Sequence, residues 1–118
     1  MISLGLNDHM LEQAVINIVD NAIKYSDPER EIVILAERSN GYIAISVIDH
    51  GYGIAHEHLE RIFERFYVAD KARSRKLGGT GLGLAIVKHI AAAHNGKVTV
   101  ESHIGKGSTF TILIPAES

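Results

Sequence analysis

The 118-residue sequence contains no cysteine, no tryptophan and only two prolines. Without cysteine the chain can form neither a disulfide framework nor a thiolate metal site, and this composition fits a reducing compartment such as the cytoplasm. No run of about 18 apolar residues occurs, and the first ten residues, MISLGLNDHM, are too polar for a signal peptide. We therefore expect a soluble chain, and whether it is one part of a longer membrane protein stays open.

The sequence also lacks an excess of either charge. Twelve Lys and Arg against 14 Asp and Glu give a net charge of −2. This balance argues against a nucleic-acid-binding protein, whose surface would be broadly basic, because the clustered cations Lys71, Arg73, Arg75 and Lys76 occupy one short stretch. With 46% hydrophobic residues, the chain is sized and composed for a single globular domain over residues 1–118.

Hydrophobic periodicity predicts helices alternating with paired strands. Runs of β-branched residues on either side of Ser39, Asn40 and Gly41 predict a hairpin, and apolar residues at helical spacing predict helices. Residues 67–80 show neither pattern and are charged and glycine-terminated, so we interpret them as a lid. The predicted helices span residues 8–26, 56–66 and 82–94, and the predicted strands span residues 31–38, 42–49, 97–102 and 108–115.

This order of elements predicts the fold class. Paired strands with helices between them form layered α+β folds, whereas a regular βαβ succession would form a parallel sheet. We expect a two-layer sandwich with three main helices on one face of a mixed, mostly antiparallel sheet. The pattern argues against a doubly wound nucleotide-binding fold.

Three polar residues border the apolar stripe of the first predicted helix. Asn17, Asn21 and Lys24 fall within a strip about 60° wide, since successive helical residues are about 100° apart. Carboxamide oxygens suit a Mg²⁺ ion that also holds phosphate oxygens, and a lysine supplies a cation for the same phosphates. The alternative is an ordinary solvated helix face.

A carboxylate at the end of a predicted strand is followed by two glycines in the segment DHGYG. Asp49 can accept a hydrogen bond from a group such as the adenine amino group. Gly51 and Gly53 allow the backbone to approach a planar ligand closely. The alternative is a plain turn stabilised by the aspartate.

Gly79, Gly81 and Gly83 directly precede the last predicted helix. Backbone amides in such a segment, together with a helix N-terminus, offer a site for phosphate. The segment does not match a P-loop and does not follow a strand, so the P-loop and dinucleotide-binding interpretations both lack their structural context. The alternative is a flexible hinge.

The seven histidines do not indicate a metal site. His56 and His58 would point about 200° apart on a helix and could not share a metal ion there. We interpret both as surface residues, and we expect His89 and His94 at the rim of an amphipathic helix.

Four segments together resemble the catalytic and ATP-binding domain of sensor histidine kinases, which belongs to the ATPase superfamily of gyrase, Hsp90 and MutL. The resemblance covers nearly all of the chain and implies the Bergerat ATP-binding fold. GKGSTFTILIP also resembles the closing strand of the family. The segments that match its N box, first glycine box, F box and second glycine box are NIVDNAIKYS (17–26), DHGYGIA (49–55), RIFERFY (61–67) and GGTGLGLA (78–85).

The resemblance implies a site for ATP and Mg²⁺. Asn21 would hold the metal with Asn17 nearby, and Asp49 would bind the adenine amino group. The groups implied to act on the phosphates are Asn17, Lys24, Arg65 and Lys71. The residues implied to line the nucleotide, support its floor or anchor and flex the lid are Lys24, Tyr25, Gly51, Gly53, Ile54, Phe63, Phe66, Gly79, Thr80, Gly81, Leu82, Gly83, Leu84 and Thr109.

The resemblance also bears on the type of reaction. The hydrolases of the superfamily carry a glutamate four residues before the magnesium asparagine, where it acts as general base for water. This chain has Asn17 there, and an amide cannot take a proton from water at neutral pH. A kinase is therefore favoured over an ATPase, since phosphoryl transfer requires mainly positioning and charge neutralisation.

The partners implied by the resemblance are a dimerisation domain that carries the phosphoacceptor histidine, and a response regulator downstream. No segment of this chain resembles the acceptor helix, and the pair His56-Glu57 lacks the proline that follows it in the family. We therefore expect ATP binding without autophosphorylation. The implied location is the cytoplasmic part of a bacterial membrane-bound sensor.

One departure from the family keeps alternatives open. Val68 stands where many relatives carry an arginine on the phosphate side, so either Arg65, Lys71 or Arg73 takes the place of that arginine or the handling of the γ-phosphate is weakened. A degenerate module that binds nucleotide without chemistry is one alternative. A serine kinase of the anti-sigma type is another, and an ATP-driven clamp is a third that Asn17 and the F box argue against.

Overall fold

The computed structural model describes residues 8–26, 30–67 and 81–116. Its helices and strands alternate as the sequence predicts, and they form two layers. None of the helices in these residues is long and apolar enough to cross a membrane. The elements are α1 (Asp8–Lys24), β1 (Val33–Ser39), β2 (Tyr42–Asp49), a short 3₁₀ helix (His56–His58), α2 (Gly83–Ala93), β3 (Lys97–His103) and β4 (Gly107–Pro115).

Helix α1 forms because its apolar residues recur at steps of three and four. Leu11, Ala14, Ile18 and Ala22 are all buried and lie on one side of the helix, where α1 packs against α2 and β2. The helix ends at Lys24, two residues before the predicted end. The polar strip that includes Asn17 is therefore left beside this buried stripe.

The first two strands form the predicted hairpin. Ser39 pairs with Tyr42, so Asn40 and Gly41 form a two-residue turn, and both have positive φ angles of 51° and 80°. Such turns match the twist of antiparallel strands, and asparagine followed by glycine is the preferred pair of residues for them. The hairpin brings Asp49 to the far end of β2, next to the beginning of β4.

The sheet has the order β1-β2-β4-β3, and all neighbouring strands are antiparallel. Alternate residues of β2 and β4 face the helices, among them Val47 and Phe110, each 1% exposed. On the opposite face the hydroxyls of Ser46 and Thr111 lie 3.0 Å apart. This arrangement confirms the two-layer α+β fold with helices on one face.

Two details differ from the sequence prediction. The described residues contain two α-helices rather than three, because residues 56–66 form a 3₁₀ helix followed by successive turns. Most of their backbone bonds reach three residues back, as from Arg61 to His58 and from Glu64 to Arg61. The described sheet is fully antiparallel instead of mixed, and the predicted lid lies outside the described residues except for Tyr67.

Helix α2 ends at Ala93, and Asn95 just beyond it takes the left-handed conformation, with a φ angle of 60°. At Gly96 the chain passes close to β4, since a Cβ there would lie 2.1 Å from the Leu113 carbonyl oxygen. His94 is buried instead of lying at the rim, and its Nδ1 is 2.8 Å from the Ile90 carbonyl oxygen.

The core assignment of Phe110 can be tested by substitution. Phe110 meets Phe63 edge-to-face with ring centroids 6.1 Å apart, and we expect Phe110→Leu to lower the free energy of unfolding by about 1 to 2 kcal/mol. Phe66→Leu is the matched control because that ring is 70% exposed, and its effect should stay below about 0.5 kcal/mol. Urea denaturation measures both, and equal losses would contradict the assignment.

Candidate functional site

The Asp49 carboxylate lies at the end of β2 and is 7% exposed. Its Oδ1 accepts hydrogen bonds from the backbone amides of Gly51, at 2.9 Å, and Ser108, at 3.2 Å. Neither of these two bonds uses the second oxygen, Oδ2. Two amides therefore fix the orientation of a nearly buried carboxylate and leave one oxygen available to a donor on a ligand.

The glycine loop that follows Asp49 is held at one side by the end of α1. The amide of Tyr52 donates to the Tyr25 carbonyl oxygen at 3.3 Å. A Cβ on Gly51 would lie 2.3 Å from that same oxygen. Position 51 therefore accommodates only glycine without displacement of α1 or the loop.

The other side of the loop is held by the turn between β3 and β4. The Tyr52 carbonyl accepts a hydrogen bond of 2.9 Å from the Gly105 amide. Gly53 has a φ angle of 76°, and a Cβ there would lie 2.1 Å from the His103 carbonyl oxygen. The loop is thus fixed between two elements, and the required glycines are two of the predicted site residues.

The polar strip of α1 joins the two helices. Asn17 Oδ1 accepts a hydrogen bond of 2.8 Å from the Gln13 side chain, and its Nδ2 donates to the Gly83 carbonyl oxygen at 3.3 Å. Lys24 Nζ lies 3.1 Å from an Asp20 carboxylate oxygen, and the Asn21 side chain is half-buried. The predicted strip is formed, with Gln13 and Asp20 as additional polar members.

The F-box segment and the second glycine-box segment meet at the two ends of the predicted lid. Phe66 has a φ angle of 65°, its ring is exposed, and its amide donates to the Gly81 carbonyl oxygen at 2.7 Å. A Cβ on Gly81, whose φ angle is 76°, would lie 2.7 Å from the Phe66 Cα. Arg65 is exposed, whereas Lys71, Gly79 and Thr80 lie outside the described residues.

A charged and aromatic cluster that the sequence analysis missed fixes the end of the F box. The Arg61 guanidinium lies 4.6 Å from the centre of the Tyr67 ring, and the Tyr67 hydroxyl hydrogen-bonds to His58 Nδ1. Arg61 Nε is 2.8 Å from Glu64 Oε2. This hydrogen bond raises the pKa of Arg61 and lowers the pKa of Glu64.

An open cavity of about 580 Å³ borders the glycine loop. Three predicted site residues, Gly51, Gly53 and Ile54, line it, but Asp49 and Asn21 do not. The candidate site therefore extends beyond this cavity, because it includes the Asp49 carboxylate. The other lining residues are Arg30, His50, Tyr52, Ala55, His58, Ile104 and Gly105.

Thr109 is the predicted site residue that the described structure separates from the others. Asp49 pairs with Ser108 across the β2–β4 ladder, so Thr109 projects from the opposite face of the sheet. Ser108 and its neighbour Ser102 occupy the side of Asp49 and were missed by the sequence analysis. Of the other predicted residues, Leu82 precedes α2, Leu84 packs against the core and Phe63 packs against Phe110.

Comparison with known proteins identifies the family. Residues 7–118 match the family described as histidine kinase-, DNA gyrase B-, and HSP90-like ATPase, and the chain belongs to that family. The similarity extends to sensor histidine kinases in particular, so the resemblance stated from the four boxes is confirmed.

The relatives are sensor kinases of several bacteria. The chain is 52% identical over 109 residues to the sensor-like histidine kinase SenX3 of Mycolicibacterium smegmatis, covering 92% of this chain and 28% of SenX3. It is 43% identical over 114 residues to the signal transduction histidine-protein kinase ArlS of Staphylococcus epidermidis, covering 97% of this chain and 25% of ArlS. The chain thus spans about a quarter of the length of these curated relatives.

Solved structures show the same fold. The mycobacterial sensor histidine kinase MprB superposes with a TM-score of 0.84 at 30% identity, over 95% of this chain and 76% of that one. Full-length ShkA in complex with AMPPNP superposes with a TM-score of 0.79 at 33% identity, over 92% of this chain and 22% of that one.

The close approach at Gly53 yields a test of how the site is held. Gly53 and Gly41 have φ angles of 76° and 80°, but a Cβ on Gly41 would meet nothing within 4 Å. Alanine should therefore cost about 1 to 2 kcal/mol of backbone strain at either position, and Gly53→Ala should cost about 1 to 3 kcal/mol more through the clash with His103. Urea denaturation of both variants measures the difference. Equal free energies of unfolding would show that the loop is not held against His103.

Proposed function

We propose that the chain is the ATP-binding catalytic domain of a two-component sensor histidine kinase. It binds ATP with Mg²⁺ and donates the γ-phosphate to a histidine on a separate dimerisation domain. The observation that carries the proposal is the buried Asp49 carboxylate, held by the amides of Gly51 and Ser108 with one oxygen left for a ligand. The family and the sensor-kinase relatives support it, as does a similar structure determined with AMPPNP.

Asp49 selects the base in this proposal. An ionised carboxylate only accepts hydrogen bonds, and the exposed edge of adenine presents an amino group where guanine presents a carbonyl oxygen. The adenine amino group can therefore donate a hydrogen bond to Asp49 Oδ2. The guanine carbonyl oxygen cannot, because neither it nor the carboxylate carries a proton to share. Gly51 and Gly53 keep the loop close enough for its backbone to line the base.

The strip on α1 receives the phosphates and the metal. Mg²⁺ takes oxygen ligands and commonly binds one or two protein groups together with phosphate oxygens and water. The half-buried Asn21 carboxamide fits this chemistry, with Asn17 behind it and the Lys24 ammonium on the same strip. The bound ion would neutralise phosphate charge. Leu82 at the start of α2 provides no capping side chain, and the N-terminus of a helix can bind a phosphate oxygen through its backbone amides.

Asn17 positions groups and does not activate water. Its carboxamide oxygen accepts from Gln13 and its amide nitrogen donates to Gly83, so both ends of the side chain are engaged. An amide has no basic nitrogen or oxygen at neutral pH, and the γ-phosphate is preserved for another acceptor. Arg65 and Lys71 are the proposed cations for the γ-phosphate, in place of the arginine that many relatives carry where this chain has Val68.

Since the chain spans about a quarter of its relatives' length, the acceptor histidine and the response regulator that would receive the phosphate are partners in this proposal. The full protein would be a membrane-bound sensor with this domain in the cytoplasm. A degenerate nucleotide-binding module remains the second candidate because of Val68.

Calorimetric titration with ATP tests the two ends of the site. Asp49→Asn should weaken ATP binding about tenfold or more, since it replaces a charged hydrogen-bond acceptor by a neutral one. Asn21→Ala should remove most of the effect of Mg²⁺ while metal-free binding persists. Glu12→Ala is the control, because Glu12 is exposed on α1, about 180° around the helix from Asn21. Failure of the unmodified domain to bind ATP would overturn the proposal.

Radiolabelled ATP tests the chemistry. The domain alone should remain unlabelled, and addition of the histidine-containing dimerisation domain of the same kinase should give an acid-labile label on that partner. An acid-stable label would indicate a serine kinase instead. ATP binding without any label would favour the degenerate module.

A further inference from the structure

A cluster of buried hydroxyls lies behind the glycine loop. Ser102 on β3 is 9% exposed and Ser108 on β4 is 6% exposed. The Ser102 hydroxyl accepts a hydrogen bond of 2.7 Å from the Ile54 amide, donates to the Gly107 carbonyl oxygen at 3.1 Å and lies 2.7 Å from the Ser108 hydroxyl. One side-chain oxygen therefore joins β3 to the end of the glycine loop and to β4.

The hydrogen-bonding capacity of Ser102 is completely used. A hydroxyl has one proton and two acceptor positions. Since the proton of Ser102 goes to Gly107, the Ser108 hydroxyl must donate to Ser102, and the Ile54 amide takes the second acceptor position. Removal of this oxygen would leave three polar groups without their partner in a nearly buried region.

These three groups belong to the two segments that orient Asp49. Ile54 ends the glycine loop that begins at Asp49, and Ser108 donates its amide to Asp49 Oδ1. The Gly107 backbone also lies against the start of the loop, since a Cβ there would be 2.1 Å from the Asp49 carbonyl oxygen. Ser102 thus joins the far end of the loop to β4, the strand whose Ser108 amide holds the Asp49 carboxylate.

We propose that Ser102 is a positioning residue for base recognition, whose hydroxyl keeps the Asp49 carboxylate directed at the amino group of adenine. The inference rests on the proposed function of the domain as an adenine nucleotide-binding protein. Neither the four boxes nor the predicted site residues include Ser102. Its role is indirect, because it acts through the backbone of Ile54, Gly107 and Ser108.

The test compares ATP with purine riboside triphosphate, which lacks the amino group. The dissociation constant of purine riboside triphosphate divided by that of ATP reports the contact between that group and Asp49. In Ser102→Ala we expect ATP binding to weaken about 5- to 50-fold, as loss of a buried hydrogen-bond network implies, while binding of purine riboside triphosphate changes less. The ratio should therefore fall toward one. Ser102→Thr keeps the hydroxyl and should keep the ratio.

Ser46→Ala is the matched control. Ser46 also shares a hydrogen bond with a second hydroxyl, that of Thr111, but on the opposite face of the same sheet, so its removal should leave the ratio unchanged. Urea denaturation of each variant separates stability from recognition. If Ser102→Ala does not fold, Ser102→Cys carries the test, since a thiol of similar size makes only weak hydrogen bonds.

The outcomes distinguish the two proposals. An unmodified domain that does not bind ATP, or that binds both nucleotides equally, would overturn adenine recognition and the role of Ser102 with it. A normal preference for ATP that persists in folded Ser102→Ala, even with reduced stability, would overturn only the positioning role. Loss of the preference in Ser102→Ala, with retention in Ser102→Thr and Ser46→Ala, supports it.

Discussion

The hydrogen bonds from the Gly51 and Ser108 amides to Asp49 Oδ1 determine how the rest of the site is arranged. They require β2, the glycine loop and β4 to approach one another so closely that main-chain atoms meet. A Cβ on Gly51 or on Gly107 would overlap a carbonyl oxygen, of Tyr25 and of Asp49 respectively. The glycines are thus a consequence of where the carboxylate lies, and the buried hydroxyls of Ser102 and Ser108 in the same region hydrogen-bond to one another.

Much of the fold follows from local sequence. The apolar stripe of α1, the Asn40-Gly41 turn and the alternation along β2 each select one conformation, since helical and strand periodicities differ and only certain residues adopt positive φ. Residues 56–66 were wrongly predicted as a helix because their apolar spacing fits a succession of turns equally well. Tertiary contacts accompany these turns: Ile62 is buried and Phe63 packs against Phe110, while Phe66 takes a positive φ and donates its amide to the Gly81 carbonyl oxygen.

The candidate site was predictable where residue type alone indicates chemistry, as for Asp49 and the asparagines of α1. It was not predictable where strand register decides. Ser108 and Thr109 are adjacent hydroxyl residues, and only the pairing of β4 with β2 determines that Ser108 lies beside Asp49 while Thr109 lies on the opposite face. Ser102 is still less visible, since its partner Ile54 is 48 residues away in sequence and meets it only in the folded protein.

The two ends of the candidate site differ in how readily they can rearrange. The end near Asp49 consists of main-chain groups and nearly buried side chains, and any movement there would leave hydrogen bonds unmade at about 1 to 3 kcal/mol each. The end on α1 consists of partly exposed side chains. Lys24 is paired with Asp20, which is 58% exposed, and such surface pairs contribute only about 0 to 1 kcal/mol. A triphosphate could therefore attract Lys24 away from Asp20 at little cost. In the proposed complex, the base would meet a preformed surface, and the phosphates would be accommodated by side-chain movement.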